Sequence, residues 1–144
     1  RTAIENRTNG LIENASEEVV LVVGDESLLT DDLVAKLNGI GDGVEIIIGA
    51  LTSSLEGQVQ AAIPGATTFI SGLEWLHGKD TAEKDTAIGR LVLVDRSAFL
   101  VSSILPESKE EQAIFGAGFG NGLVVIARRL MAQGLLTGRD PKQR

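Results

Sequence analysis

The sequence contains no cysteine and no tyrosine, and only one tryptophan and one histidine. Without cysteine there is no disulfide, no thiolate metal ligand and no thiol nucleophile. The lone histidine, His77, cannot build a zinc site of the usual kind unless carboxylates complete it. Glu74 and Asp80 flank it at three residues' distance, a spacing that would hold a metal only on a helix; a solvated loop is the simpler reading. Aromatic residues make up 3% of the chain. Trp75 therefore stands out, either as a platform for a sugar ring or as core or interface. No apolar run approaches the roughly 18–20 residues that span a bilayer. The longest, Val19–Val23, Val44–Ile48 and Leu91–Val94, have the length of strands. Arg1–Ser16 is polar and has no signal-peptide pattern. These absences lead to the expectation of a cytoplasmic protein that does not enter a membrane. Positive charge is also scarce: 13 Lys and Arg stand against 20 Asp and Glu, a net charge of −7. A domain that grips phosphates through its own surface should be basic, so DNA binding by this segment alone is not expected. The acid excess fits a halophilic source and fits ordinary variation as well.

What is present is enough for one folded domain. The chain has 144 residues, 43% of them hydrophobic, and shows no repeat, linker or second boundary. Arg1–Ala15 carries Ala3, Ile4, Leu11, Ile12 and Ala15 on one helical face, interrupted by Asn9-Gly10. Val19–Val23 is apolar at every position, as in a strand covered on both faces. Leu28–Leu37 reads as a helix with Leu29, Leu33, Val34 and Leu37 on one side. Val44–Gly49 is a second buried strand. Thr52-Ser53-Ser54 opens a helix that Pro64-Gly65 ends. Ala66–Ile70 is a third strand, and 72–84 has no clear pattern. Gly89–Val94 and Ala98–Ser102 flank Asp95-Arg96-Ser97 as a hairpin. Pro106–Gln112 reads as a charged loop or short helix, and Gly116–Gly122 as a glycine-rich entry to a last helix, Leu123–Leu136. This order predicts an α/β fold: a mixed, mostly parallel sheet flanked by helices.

Few residues carry evident chemistry. The glycines at 116, 118, 120 and 122 precede a helix whose N-terminus could take a phosphate. They alternate, however, and do not follow a recognisable strand in the dinucleotide spacing. Close packing of the last helix explains them more simply. Thr52, Ser53, Ser54, Ser102 and Ser103 cluster near strand ends but have no base beside them, so they are not activated nucleophiles. They could bind sugar hydroxyls, and capping explains Ser53 and Ser54 equally well. Asp25, Glu26 and Asp95 end strands, yet no spacing fixes two carboxylates for acid–base work.

The run Ile88-Gly89-Arg90 through Asp95, followed by Ser102-Ser103-Ile104-Leu105, resembles the motif strand of the phospholipase D superfamily, H-x-K-x-x-x-x-D and then G-S-x-N. Asp95 falls on the motif aspartate and Ser103 on the motif serine. Ile88 stands where the nucleophilic histidine should be, Arg90 replaces the lysine, Ser102 the glycine and Leu105 the asparagine. A shifted alignment on His77-Gly78-Lys79 to Asp85 has one residue too many. A phospholipase D-like domain without its histidine is similar to the C-terminal part of archaeal TrmB-like transcriptional regulators. Arg1–Ala15 and Gly118–Leu123 resemble the corresponding segments of haloarchaeal members.

The resemblance implies a helix (1–16) after a missing linker, one phospholipase D-like effector domain (17–138) and a short tail (139–144). It implies an effector-sensing, dimerising domain of a transcriptional regulator that is not an enzyme and uses no cofactor or metal. The effector would be a sugar or sugar phosphate, and the partner a second copy. DNA would be reached only through an absent N-terminal winged helix. Arg90, Ser102 and Ser103 are the expected ligand-binding residues, with Ser53 and Ser54 beside them. Arg90 would hold a phosphate or carboxylate, or else form an ion pair with a neighbouring acid. The competing readings are a phosphodiester-hydrolysing or nucleotide-binding domain, and a dimerisation module without a ligand.

Overall fold

The computed structural model describes residues 2–24, 26–41, 43–50, 52–70, 87–105, 107–108 and 110–130. The expectations placed on Trp75 and His77 lie outside these residues, as does Asp25. The elements run α1 (Thr2–Glu13), β1 (Glu18–Val23), a short 3-10 turn (Glu26–Leu28), α2 (Asp31–Asn38), β2 (Glu45–Ala50), α3 (Ser53–Ala62), β3 (Thr67–Ile70), β4 (Ala87–Val94), β5 (Ala98–Ile104), β6 (Glu111–Ala117) and α4 (Gly122–Leu130).

The strands form a six-stranded sheet in the order β3-β2-β1-β4-β5-β6. It is mixed, as expected, but its parallel part is limited to β1, β2 and β3; the pairings β1–β4, β4–β5 and β5–β6 are antiparallel. Continuous apolar runs report burial on both faces and leave strand direction open, so they do not distinguish the antiparallel β4 from the parallel β1 and β2. One face is covered by α1, α2 and α3, whose Ile12, Leu33, Leu37, Leu55 and Val59 pack with Val19, Leu21, Val23, Ile48 and Val92. The other carries α4, whose Val124 and Ala127 pack on Val20, Val22, Leu91, Leu93 and Phe99.

The helices start and stop for local reasons. Thr30 caps α2 and Thr52 caps α3, each hydroxyl accepting the N–H three residues on, at 3.1 Å. The glycine expected to interrupt α1 does not do so. Asn9 donates to Asp32 at 2.6 Å and Lys36 pairs with Glu13, so bonds to α2 hold the first helix through that point. The segment expected to be a charged loop or short helix contributes Glu111 and Gln112 to β6. Its exposed residues do not alternate between apolar and polar, because β6 is an edge strand with much of both faces in solvent.

Gly24 ends β1 by donating to the Gly89 carbonyl at 2.8 Å. A Cβ there would stand 2.2 Å from the Ile88 carbonyl oxygen, a backbone atom that cannot swing aside. Gly24→Ala is expected to cost about 1–3 kcal/mol through forced separation of β1 and β4. Urea unfolding checks this, and an unchanged midpoint would show that the two strands do not need this approach.

Candidate functional site

The strand registers bring the expected binding residues to one end of the sheet. Val23, at the end of β1, is opposite Arg90, and Ser103 is opposite Ile88. The same end carries the close of β2 at Ala50 and the opening of α3 at Ser53. In open α/β sheets this crest, beyond the carboxyl ends of the parallel strands, is where ligands bind.

A β-bulge organises the crest. The β4–β5 register shifts between Ile88 and Leu91, so Gly89 and Arg90 together oppose Ser102. The Ser102 hydroxyl accepts the Arg90 backbone N–H at 3.0 Å. A Cβ at position 89 would meet that hydroxyl oxygen at 2.8 Å, so the bulge requires glycine there. The extra residue turns Arg90 toward the α1–α3 face with Ser102. Ile88, opposite Ser103, lies on the other face, because side chains paired across a ladder share a side.

Arg90 is 3% exposed. Its Nε donates to Glu111 Oε2 at 2.7 Å and its Nη2 to Glu111 Oε1 at 2.8 Å, a bidentate pair reaching across β5 from β4 to β6. Ser102 is fully buried under it, and Ser103 is half-buried. Ser53 and Ser54 are exposed in the first turn of α3. They are not its cap, since Thr52 fills that role. Arg90 and Ser102 are thus brought together, whereas Ser103 lies on the opposite face and Ser53 and Ser54 border a different strand end. Glu111 was not singled out from the sequence; the only signal for it was an acid within a charged run.

No protein-family model matches the sequence, and no curated protein does. Solved structures do match. NucT from Helicobacter pylori, a phospholipase D-like nuclease, superposes with a TM-score of 0.64 at 11% identity, over 95% of this chain and 89% of its own. TrmBL2 is an archaeal chromatin protein whose structure is described as showing a novel mode of DNA binding. It superposes with a TM-score of 0.52 at 12% identity, over 90% of this chain. The match covers 49% of the TrmBL2 chain, so the present chain spans about half its length. The fold is phospholipase D-like.

This corrects one expectation. The expectation that the chain is not an enzyme rests on Ile88, which stands where the resembled motif has histidine; that expectation fails, because the fold is shared over nearly the whole chain with NucT, a nuclease. An isoleucine at one motif position removes one nucleophile and says nothing of chemistry carried by other residues of the scaffold.

Within the phospholipase D-like fold, the motif divides between the two ends of β4. Asp95 lies at the far end from Arg90, in the β4–β5 turn, where Asp95 and Arg96 adopt φ of 53° and 59°. Its carboxylate accepts the N–H groups of Ser16 (2.9 Å), Glu17 (2.8 Å) and Glu18 (2.9 Å) and the Ser16 hydroxyl (3.1 Å). Partial burial pushes the carboxyl up, but the backbone donors of Ser16, Glu18 and Glu17 and the Ser16 hydroxyl outweigh it and hold the group below its ordinary value. Asp95 is a clamp between the turn and the entry to β1. The glycine-rich segment also has a packing role. Asn121 Oδ1 accepts the N–H groups of Leu123 (2.9 Å) and Val124 (3.3 Å), so the N-terminus of α4 is capped from within. A Cβ at Gly116 would meet that same oxygen at 2.8 Å. A cleft of about 340 Å³ lined by Ile12, Ala15, Lys36, Ile40 and Val44 lies at the opposite end of the sheet from the crest.

Two outcomes follow. Glu111→Gln leaves the Arg90 charge buried without its counter-ion and is expected to cost about 3–5 kcal/mol, whereas Arg90→Met with Glu111→Leu restores most of that loss. Urea unfolding of the three chains measures it, and a double variant as weak as the single one would contradict the account. Asp95 has a lowered folded value, so its contribution is full above about pH 4 and disappears as pH falls through that value. Asp95→Asn should flatten the acid limb of the stability curve, and an unchanged limb would show that the carboxylate adds nothing.

Proposed function

We propose that this chain is the effector-sensing and dimerising domain of a TrmB-like regulator. The observation that carries this reading is the buried Arg90–Glu111 pair. It stands at the end of the sheet where the parallel strands close, the end at which open α/β sheets take ligands, and joins the central strand β4 to the edge strand. The effector is a sugar or sugar phosphate held at the crest. Ser53 and Ser54, at the start of α3, supply neutral hydroxyls on the α1–α3 side, and Arg90 supplies a fork for phosphate or carboxylate. An anion that competes with Glu111 for Arg90 frees the start of β6 and so shifts the population between two arrangements of a dimer. DNA contacts belong to a winged helix outside this sequence, in keeping with the net charge of −7. The likeness to TrmBL2 supports the reading through the fold.

Calorimetry against glucose, sugar phosphates and glycerol derivatives tests it. Binding of one class is expected, weakened about tenfold or more by Ser53→Ala with Ser54→Ala, consistent with loss of about 1.4 kcal/mol, whereas Ser103→Ala, on the opposite face, should leave it unchanged. Phosphorylated ligands should bind more weakly as salt rises. No heat across the whole panel would remove the sensing role, and hydrolysis of a phosphodiester dye by the chain would replace it.

A further inference from the structure

β6 is an edge strand, and two bonds fix which of its backbone groups face outward. Leu105 donates to the Glu110 carbonyl at 2.9 Å and Gly118 to the Ser97 carbonyl at 2.7 Å. Both pairs continue the register in which Ala98 faces Ala117 and Ile104 faces Glu111. Bonded and non-bonded pairs alternate along an antiparallel ladder. Gln112, Ile114 and Gly116 therefore turn their N–H and C=O groups to β5, and Glu111, Ala113, Phe115 and Ala117 turn theirs away from it. Among the described residues no strand takes up that outer row.

Proteins blunt open edges with short strands, lysine, proline or bulges. The opposite edge follows this rule: β3 is four residues long and begins with two threonines. β6 does not. It is seven residues long, has no lysine or proline, and pairs with β5 without a bulge. Its one charge, Glu111, is turned inward to Arg90. Ile114 is 59% exposed and Phe115 40%.

The geometry points to a second copy of this chain as the occupant, with β6 pairing antiparallel to the partner's β6 about a two-fold axis through Ile114. The outer row is symmetric about that residue. Ala113 meets the partner's Phe115 and Glu111 meets the partner's Ala117, so every outward group is bonded and no like charges face each other. The strand is also polarised. Glu107, Lys109 and Glu110 precede it in the sequence with a net negative charge, while at its other end Arg128 donates to the carbonyls of Arg96 and Phe119. Antiparallel pairing sets the acidic end of each copy beside the basic end of the other. Ile114 meets its own copy at a non-bonded position, where side chains approach most closely.

This inference rests on the dimerising half of the proposed function and names its surface. The chain has no cysteine, so Ile114→Cys introduces a single thiol. At the axis the two Cα atoms would lie about 4.5 Å apart, within disulfide range. Oxidation is expected to convert most of that variant to a covalent dimer. Gln112→Cys, roughly 13 Å from its own copy, should remain uncrosslinked. Light scattering along a dilution series runs in about 1 M salt, where a Debye length of about 3 Å screens the two net charges. There Ile114→Lys should raise the dimer dissociation midpoint at least about tenfold, with circular dichroism unchanged and the urea midpoint unchanged when both chains are diluted below dissociation. A chain that is monomeric at every concentration overturns both the pairing and the dimerisation. A dimer that Ile114→Lys leaves intact and Ile114→Cys does not cross-link overturns the β6 assignment alone.

Discussion

The bulge at Gly89-Arg90 is the constraint on which the rest of the crest depends. A regular strand would place residues 88 and 90 on the same face. The extra residue separates them, turns Arg90 to the α1–α3 face and directs its guanidinium over β5 to Glu111. The close contacts at Gly24 and Gly89 follow from the same feature, since β1, β4 and β5 converge there with no room for a side chain.

The buried Arg90–Glu111 pair adds little when complete and is costly when broken. Two desolvated charges add little net stability over apolar residues of like volume, but removal of one partner strands the other. The pair ties the start of β6 to the central strand β4 across β5. The Asp95 clamp works differently. It lies at the opposite end of β4, is only partly buried, and fixes the approach to β1 through backbone donors. The residues of one strand thus serve two separate tasks, charge pairing at Arg90 and chain tethering at Asp95.

Much of this was legible in the residues. Val19–Val23, Leu91–Val94 and the Asp95-Arg96-Ser97 turn marked the central strands and the hairpin, because burial on both faces gives continuous apolar runs and polar turn residues interrupt them. That Arg90 and Ser102 belong to neighbouring strands was legible too, through the motif spacing. The bulge was not: a one-residue slip leaves no mark in composition, and it decided that Ser102 supports Arg90 while Ser103 lies on the opposite face. Ser53 and Ser54 carried a capping signal that belongs to Thr52, since only the geometry of the first turn selects which hydroxyl reaches back to the helix.

The sequence by itself determined the class of fold, the central strands and the helices, because hydrophobic periodicity and caps act over a few residues and need no distant partner. It also determined the acidity of the chain and the chemical types available at the crest. Tertiary structure alone decided that Glu111 is the partner of Arg90, that Asp95 binds the 16–18 segment, and that 111–117 is an edge strand. Each of these depends on residues brought together from far apart in the chain, and the pairing energy of a buried charge or an edge hydrogen bond exists only once the sheet has formed.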